Sequence, residues 1–146
     1  MTTTETGFVP RRRGGFAPMG SAYADEERGV FIYRLEFEAE RRRQWDAAIE
    51  RMKRWSANPG ELEDEDATAP STNLLILAMR VAATMRDDWH APPPQRVTPT
   101  NDGGIVFERW DGGVAEVLEF LPDRTVEIKS FYHDVLVRRQ PVTLLF

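Results

Sequence analysis

The chain has 146 residues, a formal net charge of −5 and a hydrophobic fraction of 41%. This length corresponds to about one domain, and the mild acidity argues against a surface devoted to nucleic acid. The absence of cysteine excludes disulfides, thiol-ligated metals and cysteine nucleophiles. The sequence shows no signal-peptide pattern and no apolar run of membrane-spanning length, so we expect a cytoplasmic protein.

Residues 1–28 are predicted to form a flexible, disordered tail, followed by a single domain over 29–146. Thr, Gly, Pro and Arg dominate the tail, and such a segment buries too little apolar surface to offset its ordering entropy. Arg11, Arg12 and Arg13 form a basic cluster within it. Because basic arms contact phosphates, these arginines are candidate nucleic-acid-binding residues with weak, salt-sensitive affinity. A solvated or partner-docking tail is the alternative.

Residues 30–37 carry two conflicting signals. Their apolar and aromatic side chains alternate with the intervening residues, which favours a strand, whereas the residues that follow favour a helix. Both interpretations stay open for this segment. From about residue 38 to 56, apolar side chains recur at spacings of three and four and predict an amphipathic helix that ends before Pro59. The residues of this stripe are Trp45, Ile49, Met52 and Trp55.

An acidic loop over residues 61–66 is predicted to separate this helix from a second one. Like-charge runs are usually solvated, although several carboxylates together also suit a divalent cation, and the sequence leaves this choice open. Ser71 offers a hydroxyl N-cap for a helix over about residues 72–88. The wide apolar stripe of that segment predicts the more buried of the two helices, ending before Pro92.

Three short apolar runs follow a proline-rich lead-in and predict an antiparallel meander. Turns are expected at residues 111–113 and 122–124, because Asp and Gly tolerate the positive φ of tight turns. Residues 131–139 are expected to extend the third strand, and residues 142–146 to form a terminal strand. The predicted fold is therefore α+β, with two helices packed on one face of a three- or four-stranded antiparallel meander.

The order of several short motifs resembles a loose group of small uncharacterised bacterial α+β proteins. The motifs of the group are Ala-x-Pro-Ser at the start of the second helix, where this chain has Ala69-Pro70-Ser71, and Pro-Thr-x-Asp-Gly-Gly-Ile at the start of a strand, here residues 99–105. An acidic residue and Trp110 follow, with one additional residue between them, and the acidic loop lacks the tryptophan and glycines of the group. The resemblance covers roughly residues 45–129 and implies a fold without an assigned activity.

No catalytic, cofactor-binding or metal-binding residue is predicted. His90 and His133 lack the serine elbow and orienting acid that a triad requires. The paired glycines are too short for a phosphate-binding loop and open no helix. Four glutamates of the meander alternate with apolar residues and are expected to form its solvated face, namely Glu108, Glu116, Glu119 and Glu127.

The aromatic residues near strand ends and at the chain end are the candidate partner-binding residues, since large rigid aromatics dominate interface hot spots. These are Trp110, Phe131, Tyr132 and Phe146. We therefore predict a non-enzymatic protein-interaction module that needs no cofactor. It would be a small accessory or partner subunit in bacteria, antitoxin-like or part of a defence locus, whose protein partner is encoded nearby. The alternatives are a nucleic-acid-associated accessory protein using the arginine tail and an enzyme with an unrecognised site.

Overall fold

The computed structural model describes residues 17–63 and 67–145. Its chain divides into two compact units, residues 1–39 and 40–146. The predicted α+β class is confirmed, but the antiparallel sheet has five strands where three or four were expected. The elements are α1 (Ala17–Ala57), α2 (Gly60–Glu63), α3 (Thr72–Asp87), β1 (Arg96–Pro99), β2 (Ile105–Asp111), β3 (Val114–Phe120), β4 (Val126–Tyr132) and β5 (Val135–Val142).

Helix α1 is much longer than the helix predicted over residues 38–56. It includes residues 17–28 of the predicted tail, and it decides the ambiguous segment 30–37 in favour of a helix. Two of the alternating side chains, Leu35 and Phe37, are 54% and 62% exposed. Since they are not buried against a sheet, the strand pattern gains no stabilisation, and the strong helix formers that follow favour the helix. Residues 1–16, including Arg11, Arg12 and Arg13, lie outside the described residues.

The second predicted helix is confirmed and corresponds to α3. Ser71 has the extended backbone of an N-cap, and its Oγ accepts a hydrogen bond from the Leu74 backbone N–H at 3.1 Å. The acidic segment before it is partly helical, because Gly60–Glu63 forms the single turn α2; residues 64–66 lie outside the described residues. Leu62 of α2 is buried, so the linker between the two long helices contributes to the core.

The five strands follow one another in the sheet in their order along the chain. Both predicted turns are present, with Gly112 at φ 61° between β2 and β3 and Arg124 at φ 73° between β3 and β4. Two strand predictions were wrong. Residues 131–139 contain a turn at 133–134, where both residues have positive φ, so they belong to two strands, and only Val142 of the predicted terminal strand is part of β5.

The core lies between the helices and one face of the sheet, called here the inner face. Buried side chains of β1 to β4 alternate along each strand and share this face through the strand register. Trp45 from α1 meets Phe107 edge-on at 6.2 Å between ring centroids, and Phe107 meets Phe120 at 4.8 Å. The opposite face is called the outer face. The contact between Trp45 and Phe107 joins α1 to the inner face of the sheet.

Candidate functional site

The clearest surface feature is a group of apolar side chains at one end of the sheet. Of the eleven strongly exposed large hydrophobic side chains among the described residues, six lie here. They belong to the last residues of β2 and β4 and the first residues of β3 and β5, beside the β2–β3 and β4–β5 turns. The six residues, called here the sheet end, are Trp110, Val114, Tyr132, Val135, Leu136 and Val137.

Two predicted partner-binding residues lie in one row across the outer face at this end. Trp110 is paired with Ala115, Ala115 with Phe131, and Phe131 with Leu136. The guanidinium of Arg96 lies 5.4 Å from the centroid of the Trp110 ring. Trp110 is 42% exposed and Phe131 is half-buried. The structure thus brings these two aromatic residues to the same face of the sheet, on β2 and β4 with β3 between them.

Tyr132 belongs to the same end of the sheet but to the inner face, because successive residues of a strand point to opposite sides. It is paired with Val114 and Val135, and its own side chain is 55% exposed. Apolar side chains therefore occupy both faces of the sheet end. Phe146, the fourth predicted partner-binding residue, lies outside the described residues. The valines and Leu136 were missed from the sequence, where they look like ordinary strand residues.

The turns at the sheet end hold the two hairpins together. His133 and Asp134 have φ of 48° and 67°, which gives a two-residue turn between β4 and β5. The His133 backbone N–H donates to the Gly113 carbonyl at 2.9 Å. A Cβ added at Gly113 would lie 2.7 Å from the His133 ring, and this ring stacks edge-on against Tyr132 at 4.3 Å. His133 therefore occupies a packed turn position.

Charged side chains lie on both faces of the sheet and differ in the ion pairs that they form. On the outer face, three of the predicted solvent-facing glutamates form ion pairs, namely Glu108 with Arg96, Glu119 with Lys129 and Glu127 with Arg139. Glu116 was expected to share that face, but it lies on the inner face, where it is paired in register with Arg109. The alternation fails because Glu116 is an odd number of residues from Glu119.

Arg109 and Glu116 border an apolar pocket on the inner face, called here the inner pocket. It has a cavity volume of about 220 Å3. Trp45 forms one wall, and the segment after α3 forms another through Pro92 and Pro94. Inner-face side chains of β2, β3 and β4 form the floor, among them Phe107, Leu118 and Ile128. The lining also includes Glu108, whose carboxylate is paired with Arg96, so Arg109 and Glu116 are the charged lining residues without such a partner in the described part of the chain.

The end of α3 is fixed by contacts from α1. The buried Arg41 guanidinium donates from Nη2 to the Arg86 carbonyl at 2.6 Å and from Nη1 to the Ala91 carbonyl at 2.9 Å. Trp45 Nε1 donates to the same Ala91 oxygen at 2.9 Å. These contacts satisfy carbonyls that a helix end leaves without partners. They also hold in place the segment that forms one wall of the inner pocket.

An exposed ion-pair cluster lies beside this junction. Arg86 contacts Asp87 and Asp46, and Arg42 contacts Asp87. Hydrogen bonds from Arg86 lower the pKa of the Asp87 carboxyl well below its usual range. The hydrogen bonds of Arg86 to Asp87 and Asp46 in turn raise the pKa of the Arg86 guanidinium. All four groups are matched in charge and lie on the solvent side, so the cluster is a link between α1 and α3.

Among the described residues, no group of three or more His, Asp or Glu side chains is arranged to hold a metal ion. In the same part of the chain, no helix has the length and apolarity needed to cross a membrane. No protein-family model, curated protein or solved structure matched this chain.

Proposed function

We propose that this protein is a non-enzymatic protein-interaction module that binds another protein through the sheet end. The observation that supports the proposal is the concentration of exposed apolar side chains there, with exposures from 40% at Val114 to 63% at Val135. Clusters of exposed apolar side chains mark interaction surfaces, whereas singly scattered ones are ordinary on monomeric proteins. The proposed role is that of a small bacterial accessory or partner subunit, antitoxin-like or from a defence locus, acting in the cytoplasm.

The residue types at the sheet end suit a binding anchor. Trp and Tyr are enriched among hot-spot residues because they combine a large contact area with few rotatable bonds. Trp110 and Tyr132 supply one such residue on each face, about half-exposed in the free protein. A partner that covers both would remove further apolar surface from water, at roughly 25 cal/mol per Å2 before the entropic costs of association.

The charges near the sheet end favour an apolar, nearly neutral protein surface as the partner. Two arginines and three acids lie there without an ion pair to the described part of the chain, which gives a local sum of −1. They are Arg109, Arg138, Asp111, Glu116 and Asp134. A nucleic acid would require an excess of positive charge, and the mixed signs provide none.

The sheet edge itself is unsuited to accept a partner strand. β5 is the edge strand on this side of the sheet, and it carries Arg138, Arg139 and Pro141 together with an irregular register opposite Ser130. Charges, proline and bulges on an edge strand oppose pairing with another chain. The proposed contact is therefore made by side chains of the sheet end, with no added strand.

Affinity purification from the organism that encodes the chain tests this function. The tagged protein is compared with the variants Trp110→Ser and Leu136→Ser, and with the control Trp89→Ser. Trp89 is 55% exposed, follows α3 and is not one of the sheet-end residues. The proposal expects one stoichiometric protein, identified by mass spectrometry, to be lost with both sheet-end variants and kept with Trp89→Ser.

Two results would contradict the proposal. One is a partner that is retained equally by the wild type and both sheet-end variants while these remain folded by circular dichroism. The other is a sheet end that is covered by a second copy of the chain. In that case light scattering of the purified wild type would show a dimer, and Leu136→Ser would convert it to a monomer.

A further inference from the structure

We propose that the inner pocket binds a small zwitterionic molecule with an apolar side chain, of the chemical class of the free apolar α-amino acids. The site lies next to the sheet end but does not depend on a protein partner. Three properties of the molecule support this ligand class: the volume and lining of the pocket, the charges of Arg109 and Glu116 at its border, and the difference between this pair and its counterpart on the outer face.

The volume and lining of the inner pocket suit one apolar side chain. An engineered apolar cavity of about 150 Å3 binds benzene, so about 220 Å3 accommodates one ring or a branched alkyl group with its connecting carbon atoms. Trp45 and Phe107 present aromatic surface, and Met85 adds an adaptable thioether. Such a lining rewards an apolar group and offers few polar atoms to a sugar or a nucleotide.

Arg109 and Glu116 provide opposite charges at the border of the pocket. They are direct cross-strand partners on β2 and β3, and both line the pocket. Arg109 Nη1 donates to the Pro93 carbonyl at 3.2 Å, which orients the guanidinium and leaves its other donors for a ligand. Neither residue forms an ion pair with the described part of the chain, although cross-strand partners of opposite charge are well placed to do so.

The outer face carries a cross-strand Arg–Glu pair with which Arg109 and Glu116 can be compared. Arg96 and Glu108 have the same direct cross-strand relation on β1 and β2, and they form an ion pair at 2.6 Å. The open arrangement therefore distinguishes the pair beside the pocket. A carboxylate and an ammonium on one carbon atom would satisfy Arg109 and Glu116 together, with the guanidinium available for two parallel hydrogen bonds to the carboxylate. A ligand with only one charge would meet repulsion from the other residue.

Four probes that share a phenyl ring and differ in charge test the proposal: L-phenylalanine, 3-phenylpropionate, 2-phenylethylamine and 2-phenylethanol. Each is titrated into the purified full-length protein and followed by amide chemical shifts in NMR spectra. We expect saturable shifts around the inner pocket, and about tenfold or more tighter binding of phenylalanine than of either singly charged probe. This factor corresponds to one charge-assisted hydrogen bond. L-Leucine is expected to bind as well.

Two charge variants then separate the roles of the border residues. Arg109→Gln should weaken phenylalanine and phenylpropionate binding by about tenfold but leave phenylethylamine unaffected or improved. Glu116→Gln should weaken phenylalanine and phenylethylamine binding and spare phenylpropionate. Arg139→Gln, which removes the outer-face ion pair with Glu127, is the control and should change none of the affinities.

The proposal is overturned if phenylalanine and leucine give no saturable shifts at millimolar concentration. It is also overturned if phenylpropionate or phenylethylamine binds as tightly as phenylalanine, because the two charges would then not act together. Unchanged phenylalanine binding in both the Arg109→Gln and the Glu116→Gln variants would also overturn the proposal. Leu118→Trp, which fills the floor of the pocket, should abolish binding of all probes, and unchanged binding in a folded Leu118→Trp variant would place the ligand elsewhere.

Discussion

Replacing Arg41 with methionine tests the contact that fixes the end of α3. Arg41 is only 5% exposed, and it donates to the carbonyls of Arg86 and Ala91. Methionine keeps the apolar stem and removes the donors. The Ala91 oxygen keeps its hydrogen bond from Trp45, but the Arg86 oxygen loses the donor that caps it. The substitution therefore leaves one poorly solvated carbonyl without that partner.

The expected loss of stability follows from these two carbonyls. An acceptor that is left without a partner costs about 1–3 kcal/mol, and the second lost hydrogen bond adds about 1 kcal/mol. Removing the guanidinium also removes the desolvation cost of a buried charge, which offsets part of this loss. The offset is limited because the two carbonyls remain in place. We expect Arg41→Met to lower the free energy of unfolding by about 2–3 kcal/mol.

The neighbouring Arg42→Met is the matched control. Arg42 forms an ion pair with Asp87 at 2.9 Å, and the two side chains are 47% and 41% exposed, so its removal should cost about 0–1 kcal/mol. Urea unfolding followed by tryptophan fluorescence measures both variants, since Trp45 and Trp55 are buried. Equal unfolding midpoints for Arg41→Met and Arg42→Met, with equal slopes, would refute the capping argument.

Three further predictions concern the core, one loop and one titrating group. Val81→Asp places a charge at a position that is 1% exposed and should abolish soluble expression; normal yield would contradict the position of α3 in the core. Gly104→Ala brings a Cβ to 2.7 Å from a carbonyl oxygen of β3 and should lower the melting temperature, whereas Gly60→Ala meets nothing within 4 Å and should not. Hydrogen bonds from the Thr125 hydroxyl and backbone N–H lower the pKa of Asp123, so this carboxylate stabilises the fold above its unfolded pKa and the contribution is lost as pH falls through the lower folded value. Thr125→Val should raise that pKa towards the ordinary range in carboxyl NMR titrations, and an unchanged pKa would contradict the assigned cause.

The candidate site was only partly predictable from the sequence. Trp110, Phe131 and Tyr132 were selected because they are aromatic and near strand ends, and the structure places all three at one end of the sheet. Their distribution over two faces depends on the registers of β2 with β3 and of β3 with β4. The turn at residues 133–134, which joins β4 to β5, contains no glycine and was missed, so the apolar residues that follow it were assigned to the wrong strand.

The inner pocket was not predictable at all. Its wall comes from Trp45 and from the segment after α3, and its floor from the middle strands. The sequence marks Arg109 only as an additional residue before Trp110, and it marks Glu116 only as one of four alternating acids. Whether such charges form ion pairs depends on which face each occupies and on what lies opposite, and both follow from the register of β2 with β3.

Local signals determined those elements that the sequence alone describes correctly. The stripe of α3, its Ser71 cap and the turn at Gly112 each depend on residues within a few positions of one another, because helix periodicity, capping and positive φ are short-range properties. Tertiary structure decided the remaining features. β1 exists because residues 96–99 find β2 as a partner, and segment 30–37 is helical because no strand pairs with it among the described residues. Arg41 caps a helix that ends 46 positions later in the chain, and contacts over such distances in sequence arise only when the packed elements meet.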